Sequence, residues 1–363
     1  MIFLRKIFLL FIIVNITFIN YLNSKFTINA SYWCAWGGNS FSDGGNVTKG
    51  IPISSIPDCY NVLIYAFAVS DFLADSATAK IIEPDYFQTS IEDPILAIKK
   101  FIKKGKKFLI SVGGANGSFL IKNDSDAIKF TKSMIAIIDK YGFNGMDIDL
   151  ESSATASDPI YFAKGIKNIV DYYRNQNYDF WLTFAMEWPY LRLNSFYTNL
   201  IKALGNGNIE DGINYTTYFW PQLYNQGATN GFQIHPWPAK WNEVNPQESG
   251  MPNFVINFIQ GITNKTIAKY NNWICIPINK LAITLPASNG AANGGMLYVI
   301  NKECIQYIYN NLSGFMGFNN WSIDFDAFSQ TGIPDISYNC YDSLMFKDIS
   351  HTPWDFGNAI YIN

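Results

Sequence analysis

Phe143-Asn144-Gly145-Met146-Asp147-Ile148-Asp149-Leu150-Glu151 alternates acidic and apolar residues with a period of two. On an extended strand, side chains two apart share a face. Asp147, Asp149 and Glu151 therefore line one face, and Met146, Ile148 and Leu150 the other. The apolar face calls for a layer of helices, which leaves the acids pointing into the interior of a closed sheet. Like charges about 6.6 Å apart, two residues at a rise of ~3.3 Å, are costly if all ionise, so at least one pKa should rise. A carboxylic acid still protonated near neutral pH is what general-acid chemistry needs. The competing readings are a solvent-facing strand and a divalent-cation site; neither suits the apolar pattern around the segment, and no metal or cofactor is expected.

Outward from this strand, short apolar runs recur at residues 31–36, 61–69, 107–112, 181–187, 213–224, 280–285 and 315–325. With 145–151 they number eight, each short enough for a strand. Helix-length patterns at 94–104, 126–140, 159–174, 195–204, 252–262 and 302–312 fill most of the gaps, with Ser125 or Asp124 as the N-cap of the second. Alternation from end to end predicts a parallel sheet, and eight units predict a single-domain α/β fold, the (β/α)8 TIM barrel. A doubly wound open sheet would leave two unpaired edges, and the chain lacks the glycine fingerprint of that class. Two long connections, 37–59 and 226–250, follow strands and so belong to the C-terminal face, where barrel active sites are built. Beyond Asp326 the periodicity is too poor to define an eighth helix.

Composition narrows the function. The 363 residues carry 26 Lys+Arg against 29 Asp+Glu, a mild acidity that argues against a nucleic-acid partner. Only 15% are charged and 48% apolar, which excludes a disordered chain. The two histidines, His235 and His351, lie too far apart for a zinc-protease motif and argue against a serine triad. Aromatics reach 17%, including 10 Trp. Arg5 and Lys6 precede about a dozen apolar residues, the layout of a secretory signal peptide and too short a run to span a membrane. Cleavage after Ser24, or as late as Ala30, leaves residues 25–363 as the catalytic domain, secreted to the extracellular space or periplasm and without stable membrane insertion. Five cysteines remain, an odd number with no CxxC spacing; Cys34 and Cys59 either pair or stay as buried thiols.

The acidic segment resembles the signature of glycoside hydrolase family 18, which includes chitinases and endo-β-N-acetylglucosaminidases; Asn144 stands where Asp is more common. Phe108-Leu109-Ile110-Ser111-Val112-Gly113-Gly114 is similar to the family's S-x-G-G motif on the third strand. Gln222-Leu223-Tyr224-Asn225 resembles its tyrosine motif, and Trp321 the tryptophan of the last strand. The likeness runs from about Ser31 to Asp326.

The resemblance implies a secreted chitinase, retaining and substrate-assisted, in which the substrate's acetamide oxygen is the nucleophile and an oxazolinium forms. Glu151 is then the general acid and base, and Asp149 orients the acetamide. Asp147 shares a proton with Asp149, Tyr224 donates to the acetamide oxygen, and Trp321 forms the floor beneath the −1 sugar. Gln222, Asn225, Met186, Trp36, Trp188, Trp220 and Ser111 complete the substrate-binding set, with Tyr190 a further stacking candidate. Ser111 and Gly113 are read mainly as shaping the barrel interior. The partner is chitin or N-acetylglucosamine oligosaccharides, met by a monomer. The stretch 285–302 is too short for the α+β insertion of some family members, which implies a shallow, open groove. An endo-β-N-acetylglucosaminidase and a lectin-like barrel are the alternatives.

Overall fold

The computed structural model describes residues 27–36, 51–84, 92–115, 117–151, 156–224, 232–233, 243–244, 251–287, 291, 302–327, 336–338, 346–348 and 353–360. Eight strands form the barrel: β1 (Ile28–Cys34), β2 (Val62–Asp71), β3 (Lys107–Gly114), β4 (Gly145–Leu150), β5 (Trp181–Phe184), β6 (Tyr218–Phe219), β7 (Ala282–Pro286) and β8 (Gly317–Trp321). Every neighbouring pair is parallel, and β8 pairs with β1. The bridges Phe219↔Leu281 and Gln222↔Thr284 join β6 to β7 and complete the ring. The expected barrel is therefore the observed one. One antiparallel strand, Asp75–Ile81, folds back on β2 as a hairpin.

Two apolar layers follow from strand alternation. Outward residues such as Ile110, Val112, Met146, Ile148, Leu150, Leu182 and Phe184 pack with the helices in one buried cluster. Inward residues Ala30, Tyr32, Val62, Ile64, Leu109, Ala185, Trp220 and Ala282 fill the barrel. The helices α1 (Pro94–Lys103), α2 (Asp124–Tyr141), α3 (Pro159–Arg174) and α4 (Phe196–Leu204) match the predicted spans closely. Asp93 and Asp158 cap α1 and α3, each followed by a proline whose missing N–H costs nothing at that position. The cap of α2 is Asn123, which accepts from Asp126 N–H, rather than Asp124 or Ser125. Its end is set by Gly142, left-handed at φ 79°.

Three further expectations are corrected. Residues 209–215 form a helix, so the sixth strand starts at Tyr218 and not at Ile213. Asn208 caps that helix through Glu210 N–H, a turn signal that the apolar count overlooked. The eighth strand ends at Trp321 and a short helix, Ile323–Ala327, follows. An eighth-position helix does form, Asp355–Ile360, held to the barrel by Phe356, Ala359 and Ile360 in the outer core and by buried polar contacts. Asp326 accepts from Phe356 N–H at 2.8 Å and Gly357 N–H at 3.1 Å, and Asn29 donates to Gly357 O at 2.9 Å. The leader, Cys340 and most of both long connections lie outside the described residues.

Candidate active site

Donors from β1, β3, β5 and the residue that follows β6 converge on one buried carboxylate of β4. Asp147 is fully buried, and its Oδ2 accepts from Tyr32 Oη at 2.9 Å and Ser111 Oγ at 2.8 Å. Its Oδ1 accepts from Thr183 Oγ1 at 2.7 Å and Trp220 Nε1 at 2.9 Å. Burial pushes Asp147 up to about 6, against the pull of those four donors, which favour the ionised form. Four donors fill the acceptor capacity of a carboxylate. Asp149 Oδ1 accepts from Gln222 Nε2 at 2.6 Å.

The other two acids rise above their ordinary range as well. Asp149 is buried and held well above the usual carboxylate range, first by burial, then by the charges of Glu151, Asp147 and Glu187. Glu151, half-buried at the mouth, is pushed up to about 7 by burial and then by Glu187. The sequence argument rested on repulsion between neighbours along one strand. In the structure desolvation is the larger cause, and for Glu151 the relevant charge stands on the next strand. Tyr224 is buried, and its hydroxyl is raised by burial and by the charges of Asp149, Glu151 and Glu187, so it remains a proton donor.

Local backbone explains how these side chains meet. Gly113, with φ 120°, lets β3 run against β4: a Cβ there would lie 2.0 Å from the Asp149 carbonyl oxygen. Ser111, two residues earlier, donates to Asp147 and lies beneath the groove, so it shapes the interior. Tyr197 on α4 reaches the end of β4, where its hydroxyl accepts from Leu150 N–H at 2.5 Å and donates to Leu150 O at 2.9 Å. Facing the acids, Trp321 stacks on Phe67 at 5.9 Å and 11°, with Tyr32 at 5.4 Å and Trp36 at 6.2 Å from Trp321. Trp36 and Trp321 are half-buried and present ring surface at the mouth.

Several predicted lining residues are placed elsewhere. Met186 and Trp188 pack in the outer layer between strands and helices, Trp188 against Trp273 at 6.1 Å. On β5 the inward positions are Thr183, Ala185 and then Glu187, so Met186 is one residue out of phase. Tyr190 packs against the outer layer too. Trp220 is inside the barrel but fully buried, so it holds Asp147 and offers no face to a sugar. Gln222 is brought to the site, and Asn225 lies outside the described residues. Sequence reasoning missed Glu187, Tyr32, Thr183 and Tyr197; strict alternation along β5 would have found the first. Cys34, Cys59 and Cys275 are free thiols, the first two buried. Among the described residues no His, Cys, Asp and Glu group is arranged to hold a metal.

The family model described as glycosyl hydrolases family 18 matches residues 29–332. A chitinase of Enterococcus faecalis is 30% identical over 308 residues, covering 82% of this chain and 80% of its own length. A probable class II chitinase of Arthroderma benhamiae is 27% identical, covering 65% of this chain and 77% of its own. Chitinase D of Niallia circulans is 25% identical over 83% of this chain and 60% of its own length. In fold, the chain is similar to a crystal structure of a family 18 chitinase from Chromobacterium violaceum, with a TM-score of 0.62 at 20% identity, covering 83% of this chain and 79% of that one.

Proposed function

The chain belongs to the glycosyl hydrolases of family 18 and is a glycoside hydrolase of the chitinase type; on that premise we propose that it cleaves β-1,4 bonds between N-acetylglucosamine units, retaining the anomeric configuration. The observation that carries this reading is the graded burial of three carboxylates on β4. Asp147 is sealed and saturated with donors, Asp149 is sealed beside Gln222, and Glu151 is half-buried at the mouth with its acidity near 7. Of the three, Glu151 alone combines access to substrate with a proton to give near neutral pH.

In this mechanism Glu151 protonates the glycosidic oxygen as the bond to the leaving sugar breaks. The 2-acetamido oxygen of the −1 sugar attacks the anomeric carbon, giving an oxazolinium ion, the substrate-assisted exception to the two-carboxylate scheme. Glu151, now ionised, takes a proton from the water that opens the oxazolinium. Asp149 orients the acetamide N–H and offsets its developing charge, while Tyr224 donates to the acetamide oxygen and favours the near-attack geometry. Trp321 supports the apolar face of the −1 sugar, Trp36 extends that surface, and the buried Phe67 backs both rings.

Chitin is favoured over the chitobiose core of N-glycans because the similar curated proteins are named chitinases. Residues 1–24 serve as the leader that exports the enzyme, which acts as a monomer outside the cytoplasm. No described helix is long and apolar enough to cross a membrane. The test is product analysis on chitin oligomers beside a high-mannose glycoprotein, with Glu151→Gln as control. Cleavage of the oligomers by the parent, and binding without cleavage by the variant, are expected; unchanged turnover in the variant refutes the assignment. Oligomers lacking the acetamide at the −1 sugar should not be cleaved, and equal rates on both would rule out substrate assistance.

A further inference from the structure

The ladder between β4 and β5 opens before either strand reaches the mouth. Its register pairs Asp147 with Thr183 and Ile148 with Phe184, and Ala185 N–H still donates to Ile148 O at 2.9 Å. In a continuous parallel ladder, Leu150 N–H would next donate to Ala185 O, and Leu150 O would accept from Glu187 N–H. Neither bond forms. Ala185 O accepts from Gln222 Nε2 at 2.9 Å, and both polar groups of Leu150 bind Tyr197 Oη. Past this point β5 turns to β6: Gln222 N–H donates to Met186 O at 2.9 Å, and Glu187 bridges Gln222. The two strands thus part like lips, with their buried polar groups satisfied on each side.

Glu151 and Glu187 occupy corresponding positions on these lips. The last pair in register is Ile148 with Phe184, and Glu151 and Glu187 each stand three residues beyond it on their own strand. Both are half-buried, whereas the neighbours Leu150, Met186 and Trp188 are turned outward into the helix layer. We propose that Glu187 is a positioning residue for the general acid: its carboxylate, across the split from Glu151, keeps Glu151 in the protonated, donating state between turnovers. This rests on the hydrolase reading above. It also gives the split a purpose, since a closed ladder would force the two acids into direct contact and leave no room for the glycosidic oxygen. Glu151 loses its proton to that oxygen and recovers it from water, so the cycle needs no second proton carrier.

The groups facing Glu151 support this role. On its own strand stand Asp149 and Asp147; from the segment after β5 comes Glu187, from the segment after β6 Tyr224, and from α4 the Tyr197 hydroxyl at Leu150. The inward positions of β3 are Ser111 and Gly113, which carry no charge. Burial is the first influence on Glu151 and the charge of Glu187 the second, while both tyrosine hydroxyls are kept neutral. A competing role for a carboxylate in this place is that of enzyme nucleophile, paired with Glu151 in a double displacement.

The experiment compares Glu187→Gln and Glu187→Asp with the parent, measuring kcat/KM against pH on an N-acetylglucosamine oligomer, with folding followed by circular dichroism. The alkaline limb of the parent reports Glu151 and should fall near 7. In Glu187→Gln that limb should move about one unit toward acid, so activity at pH 8 drops roughly tenfold while the acid-side plateau changes far less. Glu187→Asp should restore most of the limb. A limb that stays in place in a folded Glu187→Gln overturns the proposal. So does loss of activity at every pH with recovery on added azide, the mark of a missing nucleophile. Should Glu187→Gln not fold, Glu187→Ser serves as a second neutral variant with the same two outcomes. A parent that fails to cleave the oligomer at any pH would instead sink the hydrolase reading itself.

Discussion

Replacing Tyr32 by phenylalanine removes one hydroxyl and keeps the ring that packs at 5.4 Å from Trp321 and 6.2 Å from Phe67. What is lost is the 2.9 Å bond to Asp147 Oδ2, one of four donors to a fully buried carboxylate. A hydrogen bond to a charged group is worth roughly 1.5–3 kcal/mol, which corresponds to a further rise of about 1–2 pKa units. In the parent, burial already raises Asp147 from 3.8 to about 6, so the fold holds this proton more tightly than the unfolded chain does. The associated stability is complete below pH 3.8 and is lost as pH rises through about 6. In Tyr32→Phe that loss continues to higher pH, because the ionised form has one donor fewer. The Tm difference between parent and variant should therefore be small at pH 5 and widen by roughly 2–5 °C at pH 8, measured by scanning calorimetry in matched ionic strength. The acid limb of kcat should move upward in the same variant, since Asp147 would be neutral over a wider range. A Tm difference that stays constant from pH 5 to 8 would refute the reasoning, for it would mean that Tyr32 contributes packing alone.

Two other substitutions test how the site is held. Gly113→Ala places a Cβ 2.0 Å from the Asp149 carbonyl at a φ of 120°, so a loss of more than about 2 kcal/mol is expected in urea unfolding; an unshifted midpoint would show that β3 and β4 can move apart freely. Tyr197→Phe leaves both polar groups of Leu150 unpaired inside the split, at a cost of about 1–3 kcal/mol. With Glu151 less firmly placed, kcat should fall while KM changes little, and an unaltered kcat would mean that the split is held by other contacts.

The parts of the structure that were legible in the sequence are those that repeat locally. Alternation on β4 identified the inward carboxylates, and apolar spacing located α1 to α4 to within a residue or two. The parts that were not legible depend on closure of the barrel. Tyr32 lies 115 residues from Asp147 in sequence and Trp220 lies 73, so nothing local marks them as its donors. Short elements failed for a different reason: the helix at 209–215 has too few turns for a periodic signal, and Asn208 as its cap was the better guide. Met186 enters the substrate-binding set through the family resemblance, which carries no strand phase. Phase, counted from Thr183, decides the matter the other way.

The abundance of tryptophan is also better explained by architecture than by substrate. Trp33 donates to Ile51 O at 2.7 Å and is buried in the outer layer with Trp188 and Trp273. Trp220 spends its indole N–H on Asp147. Trp181 packs on Tyr218 and under Lys107, and Trp354 against the outer layer; Trp36 and Trp321, stacked with or tilted on the buried Phe67, are the described tryptophans left near the acids for a sugar. The same division applies to the acids. A barrel interior that is sealed at the depth of Asp147 and open at Glu151 gives three carboxyl groups of one strand different environments. Depth along β4 sets how much water each carboxyl loses, the donors of neighbouring strands decide which can bear ionisation, and the outermost is the one to which the proposed mechanism gives the proton donor's part.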